Sequence, residues 1–261
     1  MLDEWLDRWE LTLERVCVAS GPTALVRQAD GEPAVLRLRS SAGREAAALR
    51  QWDGHGAVRL LRAEGDALLL ERLHADIPLR SLAEPKAMLE AASLLRQLWV
   101  TPGAEGGIPR LSEELTARLA ELRANPARAE AEALFEEAAA AAERLLADQP
   151  EELLLHGDLH HGHVLAADRS PWLAVSPRPV LGERAYDLAL LAQDRLDTLA
   201  GQPGPRAAAR RRLQKLAESV EVDPERLRGW ALFRAVETGL RHLAADERRA
   251  GELYLEFAAW L

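Results

Sequence analysis

Leu155-His156-Gly157-Asp158-Leu159-His160-His161-Gly162-His163-Val164-Leu165 is the stretch on which the reading of this chain turns. Three leucines, Leu153 to Leu155, lead into it, and Val164-Leu165 leads out. A short apolar run on each side of a polar segment predicts two strands of a hairpin that hold the polar loop at the floor of a cleft. A further short strand, Trp172 to Val175, follows. The loop crowds His156, Asp158, His160, His161 and His163 together, so it can be read as acid–base machinery, as a transition-metal site, or as loop structure.

Outward from this loop the chain divides. Towards the N-terminus, a short helix precedes strand-like runs at Leu11 to Ala19, Thr23 to Ala29 and Ala34 to Arg39, with Asp30-Gly31 as a hairpin turn between the last two. Arg44 to Trp52 reads as a helix. Ala57 to Arg62 and Ala67 to Leu73 read as strands joined by Glu64-Gly65-Asp66. From Pro85 the pattern becomes alanine- and leucine-rich helices, among them Leu111 to Ala124 and, begun by Pro126, Ala127 to Leu146. Strands first and helices later predict an α+β protein with segregated halves: a sheet-rich unit over residues 1–73 and a helical unit over 74–261. The cleft between them is the expected ligand site.

Composition narrows the function. The 261 residues carry a net charge of −9, which argues against a nucleic-acid binder and suits a cationic small-molecule ligand. The single cysteine, Cys17, forms no internal disulfide and is expected to be a buried thiol. The acidic start lacks the order of a signal peptide, and no apolar run reaches membrane-spanning length, so a cytoplasmic protein is expected.

Three stretches taken together carry a resemblance. Leu155 to Leu165, then Trp172-Leu173-Ala174-Val175-Ser176-Pro177-Arg178-Pro179, then Gly182-Glu183-Arg184-Ala185-Tyr186-Asp187-Leu188-Ala189 resemble the streptomycin and hydroxyurea phosphotransferase family. Its pattern runs H-G-D-L-H-x-x-N-[VI]-L, W-L-[AV]-I-D-P-K-P and G-[ED]-x-x-[YF]-D-x-A. Ala34-Val35-Leu36-Arg37-Leu38 resembles the family strand A-V-L-K-L, and Arg44 to Arg50 resembles the helix after it. The resemblance implies a two-lobed, protein-kinase-like fold with a small sheet-rich N-lobe and a large helical C-lobe. It also implies transfer of the ATP γ-phosphoryl group to a hydroxyl of an aminoglycoside-like or hydroxyurea-like antibiotic, with ATP and Mg²⁺ as cofactors.

Carried over residue by residue, the resemblance makes Asp158 the catalytic aspartate. Arg37 stands where the phosphate-holding Lys would be, and Glu45 where that Lys finds its glutamate partner. His163 and Ser176 stand at the two metal-ligand positions, in place of Asn and Asp. Hard cations want oxygen ligands, a neutral hydroxyl is a poor substitute for a carboxylate, and a guanidinium is not an ammonium. These substitutions predict weak or absent Mg²⁺-dependent ATP binding and a pseudokinase-like copy. Two other readings remain: an active kinase with an altered metal site, and a small-molecule binder or acid–base enzyme using the same cleft. The resemblance makes Asp187 a brace that accepts backbone hydrogen bonds rather than a catalytic group; Gly21 reads as a turn or nucleotide loop, the tryptophans as core, and Glu237, Arg241 and Asp246 as a solvated helix face.

Overall fold

The computed structural model describes residues 2–17, 22–103 and 106–261. The chain opens with α1 (Leu2–Arg8) and strands β1 (Thr12–Cys17), β2 (Thr23–Arg27) and β3 (Pro33–Leu38). Then come α2 (Ala42–Trp52), β4 (Leu60–Glu64), β5 (Ala67–Glu71) and β6 (His74–Pro78). The helical portion contains α3 (Glu84–Leu98), α4 (Leu111–Ala124) and α5 (Glu132–Ala147), followed by short strands β7 (Leu153–Leu155), β8 (Val164–Ala166), β9 (Leu173–Ala174) and β10 (Val180–Gly182). Helices α6 (Arg184–Ala192), α7 (Leu196–Ala200), α8 (Pro205–Val220), α9 (Pro224–Ala244) and α10 (Arg248–Trp260) complete it. No described helix is long and apolar enough to cross a membrane.

The first five strands form one antiparallel sheet in the order β1-β2-β3-β5-β4. Side chains alternate across it. Ala34, Leu36 and Leu38 of β3, with Ala67 and Leu69 of β5, pack under Trp5 and Trp9 of the leading segment. The odd-numbered residues of β3 point the other way, towards α2, and this alternation aims Arg37 at Glu45. Leu68 and Leu70 on that second face join the main core, which continues through α2, α3, α6 and α9.

Several boundaries depart from the sequence expectation. The flanks of the His-Gly-Asp loop do not pair with each other: β7 pairs with β10, and β8 pairs with β6 and β9. The loop therefore passes between two small sheets. Gly157 (φ +75) and a 3₁₀ turn at His161–His163 redirect the chain, which a tight hairpin would not allow. Pro126 opens a 3₁₀ segment, Pro126–Ala131, and the α-helix begins only at Glu132. Cys17 is half-buried, because β1 is an edge strand with an exposed burial pattern. Gly21 and the end of the expected first strand lie outside the described residues. Six of the seven tryptophans are buried, and Trp172 is half-buried.

Candidate active site

Gly157 shapes the site. A Cβ built on it would lie 2.0 Å from the Arg178 carbonyl oxygen, so only glycine lets the loop pass that backbone in this left-handed conformation. Asp187 ties the loop down from α6. Its carboxylate accepts the backbone N–H of Gly157 at 2.8 Å, that of His156 at 2.9 Å and the Trp99 indole N–H at 3.1 Å. Burial pushes its carboxyl upward, against those three donors. This is the bracing geometry expected of it. His156 is fully buried with a fixed tautomer: Nε2 donates to the Val175 carbonyl at 3.1 Å and Nδ1 accepts from the Asp158 N–H at 3.3 Å. Burial, with His163 nearby, pushes it down to about 3, so it stays neutral and structural.

Asp158 follows on the cleft side, with its side chain one-fifth exposed. Its carboxylate lies 3.2 Å from Arg178 Nε and 3.7 Å from His163 Nδ1. The His163 Nδ1–H is donated to the Asp158 carbonyl oxygen at 2.8 Å, which leaves the Nε2 lone pair free.

Arg37 reaches across from β3. Its guanidinium pairs with Glu45 of α2 and donates from Nη1 to Ser176 Oγ at 2.8 Å. Arg37 and Glu45 are both buried, and Arg37 Nε has no hydrogen-bond partner. Burial and the neighbouring Arg39 push the guanidinium down to about 9, so it keeps its charge at neutral pH. Ser176 sits at φ +59, in the left-handed region. The structure thus brings Arg37, Glu45 and Ser176 into one contact, and Asp158 and His163 into a second.

The fit of Mg²⁺ can be tested on these contacts. The Ser176 hydroxyl is neutral and already accepts from a cation, and the position five residues after Asp158 offers an imidazole nitrogen. Neither suits a hard cation that seeks anionic oxygens, and a guanidinium at 2.8 Å repels one. Mg²⁺ does not fit. A softer metal has a nearer donor set, since one ligand atom from each of Asp158, His160 and His163 lies within 4.8 Å of the others. However, His160 Nδ1 accepts the Gly162 N–H at 3.1 Å, so Nε2 keeps its hydrogen and the ring offers no free lone pair as it stands. Burial, with His163 beside it, pushes His160 down to about 4.

A cavity of about 310 Å³ opens beside Asp158, lined from α9 by Arg234, Glu237 and Arg241 and from α4 by Arg118. Glu237 is therefore buried at the cavity rather than on a solvated face, and Arg241 is half-exposed at its edge. Asp246 alone of that trio is simply exposed. The signal available in the sequence was the helical spacing of Arg234, Glu237 and Arg241, which puts all three on one face of α9. Arg118 had no such signal, because its helix reaches the cavity only through packing.

The profile of the family described as "Aminoglycoside/hydroxyurea antibiotic resistance kinase" matches residues 8–246. Streptomycin 6-kinase of Streptomyces glaucescens is 37% identical over 255 residues, covering 92% of this chain and 81% of that protein. Hydroxyurea phosphotransferase of Kitasatospora aureofaciens is 39% identical over 253 residues, 91% of this chain and 71% of that protein. Among solved structures, a thermostable mutant of the aminoglycoside phosphotransferase APH(4)-Ia, in ternary complex with AMP-PNP and hygromycin B, superposes with a TM-score of 0.66. That likeness holds at 14% identity over 99% of this chain and 96% of that one. It shows the same kinase-like fold.

Proposed function

This chain belongs to the aminoglycoside/hydroxyurea antibiotic resistance kinase family, and from that premise we propose that it is a small-molecule phosphotransferase whose transfer step is impaired at the metal position. The observation that carries this reading is the bond from Arg37 Nη1 to Ser176 Oγ at 2.8 Å, which puts a fixed cation where the family pattern has a metal-binding carboxylate.

Asp158 is the acceptor base. It orients an acceptor hydroxyl in the adjoining cavity and takes its proton as the oxygen attacks the γ-phosphorus of ATP and the bond to the ADP oxygen breaks. Arg37, held by Glu45, faces the phosphates. The support for ATP is the AMP-PNP in the structural neighbour and the kinase names of the relatives. Residues 1–73 form the nucleotide-side lobe and 74–261 the acceptor-side lobe in this reading, a division supported by the end of the five-stranded sheet at Glu71. The need for ATP supports a cytoplasmic location in this reading. Without a metal to neutralise the transferring group, most of the electrostatic stabilisation of the transition state is missing.

Isothermal calorimetry with ATP, with and without Mg²⁺, tests the reading. Weak binding that Mg²⁺ does not improve is expected. A micromolar Kd that requires Mg²⁺ overturns it.

A further inference from the structure

The cavity beside Asp158 is charged in the opposite sense to the chain as a whole. Five guanidiniums border it, those of Arg80, Arg118, Arg178, Arg234 and Arg241. Three carboxylates oppose them, those of Asp158, Asp194 and Glu237. The protein carries a net charge of −9, so this excess does not follow from composition.

The imbalance is sharpest at the cavity wall. Glu237, 1% exposed, is shared by three guanidiniums: Arg241 at 2.9 Å, Arg118 at 3.6 Å and Arg234 at 3.8 Å. The other acceptors within reach of Arg118 and Arg234 are neutral: the Gly157 carbonyl oxygen, which takes an N–H from Arg234 Nη2 at 3.3 Å, and the Tyr186 hydroxyl. That hydroxyl takes an N–H from Arg118 at 2.8 Å and a second from Arg234. Two further carboxylates stand nearby, and both are engaged. Glu114 lies 4.0 Å from Arg118 and already pairs with Arg44, while Asp187 is held by the loop N–H groups and Trp99. The Arg234 side chain is 7% exposed, and its Nε, 3.8 Å from Glu237 Oε2, is buried without a hydrogen-bond partner. A buried cation without its full set of anionic partners is costly, and such a group in a cleft marks a place for a ligand.

We propose that the acceptor is a small hydroxy compound carrying an oxyanion, a carboxylate or a phosphate or sulfate ester, with its hydroxyl at Asp158 and its anionic end on Arg118, Arg234 and Arg241. This deepens the reading of Asp158 as acceptor base and rests on it. The guanidinium fork matches the planar geometry of such groups. A cavity of about 310 Å³ suits a molecule of sugar-acid size. A polycation meets repulsion in the same place, so the cavity selects against the cationic ligand that overall charge suggests.

The test is binding in the absence of nucleotide, at constant ionic strength, so that it does not depend on transfer. The full chain is titrated calorimetrically with a panel of hydroxy acids from glycolate to D-glucuronate, with glucose 6-phosphate, with their neutral counterparts ethylene glycol and D-glucose, and with streptomycin. At least one anionic compound is expected to bind at least about tenfold more tightly than its neutral counterpart, and streptomycin is expected not to bind. Arg241→Gln, at a half-exposed position that tolerates the change, is expected to abolish the preference, and the exposed Arg210→Gln to leave it intact. The panel arms separate carboxylate from phosphate. The proposal is overturned by tighter binding of streptomycin, by no preference for any acid over its neutral counterpart, or by a preference indifferent to Arg241→Gln. Anion selectivity without any recoverable transfer removes the transfer reading alone, and transfer to a cationic acceptor removes this inference alone.

Discussion

Replacing Ser176 by Asp puts the metal reading to its sharpest use. The backbone at this position has φ +59, where Asp is better tolerated than most residues, so the substitution carries little conformational cost. The Ser176 oxygen lies 2.8 Å from the Arg37 guanidinium, so the new carboxylate lands beside the group to which the proposed function gives the phosphates. Two unit charges about 4 Å apart interact by about 4 kcal/mol at an effective dielectric of about 20. Without metal, that energy works against a bound triphosphate. With a divalent cation it would change sign, because the new carboxylate would help hold a cation that neutralises the phosphate charge. Allowing for desolvation, we expect a net divergence of about 2.7 kcal/mol between the two conditions, or roughly 100-fold. The assay is calorimetric: the ratio of ATP Kd in EDTA to that in Mg²⁺ should be close to one for wild type and rise to about 100 for Ser176→Asp. Adding Arg37→Lys and His163→Asn should extend the gain. Arg37→Lys alone should do little, since neighbours acting on the same phosphates are not additive. A folded triple variant whose ratio stays within about threefold of one refutes the reasoning.

In the Ser176→Asp background, Asp158→Asn is expected to leave ATP affinity within about threefold while lowering any recovered transfer by about 10³-fold or more, measured as ADP release with an accepted acceptor. Gly157→Ala drives a Cβ into the Arg178 carbonyl at 2.0 Å and strains a φ of +75, so a loss of about 3 kcal/mol and a Tm fall of roughly 6–12 °C are expected by calorimetry. His156 is held at about 3 when folded, below its unfolded value of about 6.5, so the unfolded chain binds the extra proton between those limits. Its contribution to stability is therefore complete above about pH 6.5 and falls by up to about 1.4 kcal/mol per unit as pH drops towards 3; His156→Gln should flatten that part of a urea-denaturation profile against pH.

The local features of this protein were legible in its residues because they are set by neighbours in the chain. The pairing of Arg37 with Glu45 was legible through the family resemblance alone, while the helical period of Leu111–Ala124 set that helix's limits, and the order of strands then helices set the fold class. The loop around Asp158 and the brace from Asp187 were legible through the resemblance of the three motifs to the family pattern. What residue order could not supply was long-range pairing. The strands flanking the His-Gly-Asp loop look like partners in one dimension, yet each finds another partner once the loop turns at Gly157, since strand pairing is decided by register and by what else is close in space. Whether Ser176 was a vacant ligand position or an acceptor for Arg37 depended on a contact spanning 139 residues. The charge of the cavity came from α4, α9 and the 3₁₀ turn at Leu79–Ser81, segments far apart in the chain whose arginines are ordinary helix residues until packing brings them around one cavity. Charge balance is a property of volume, and only the folded chain defines the volume over which it is counted.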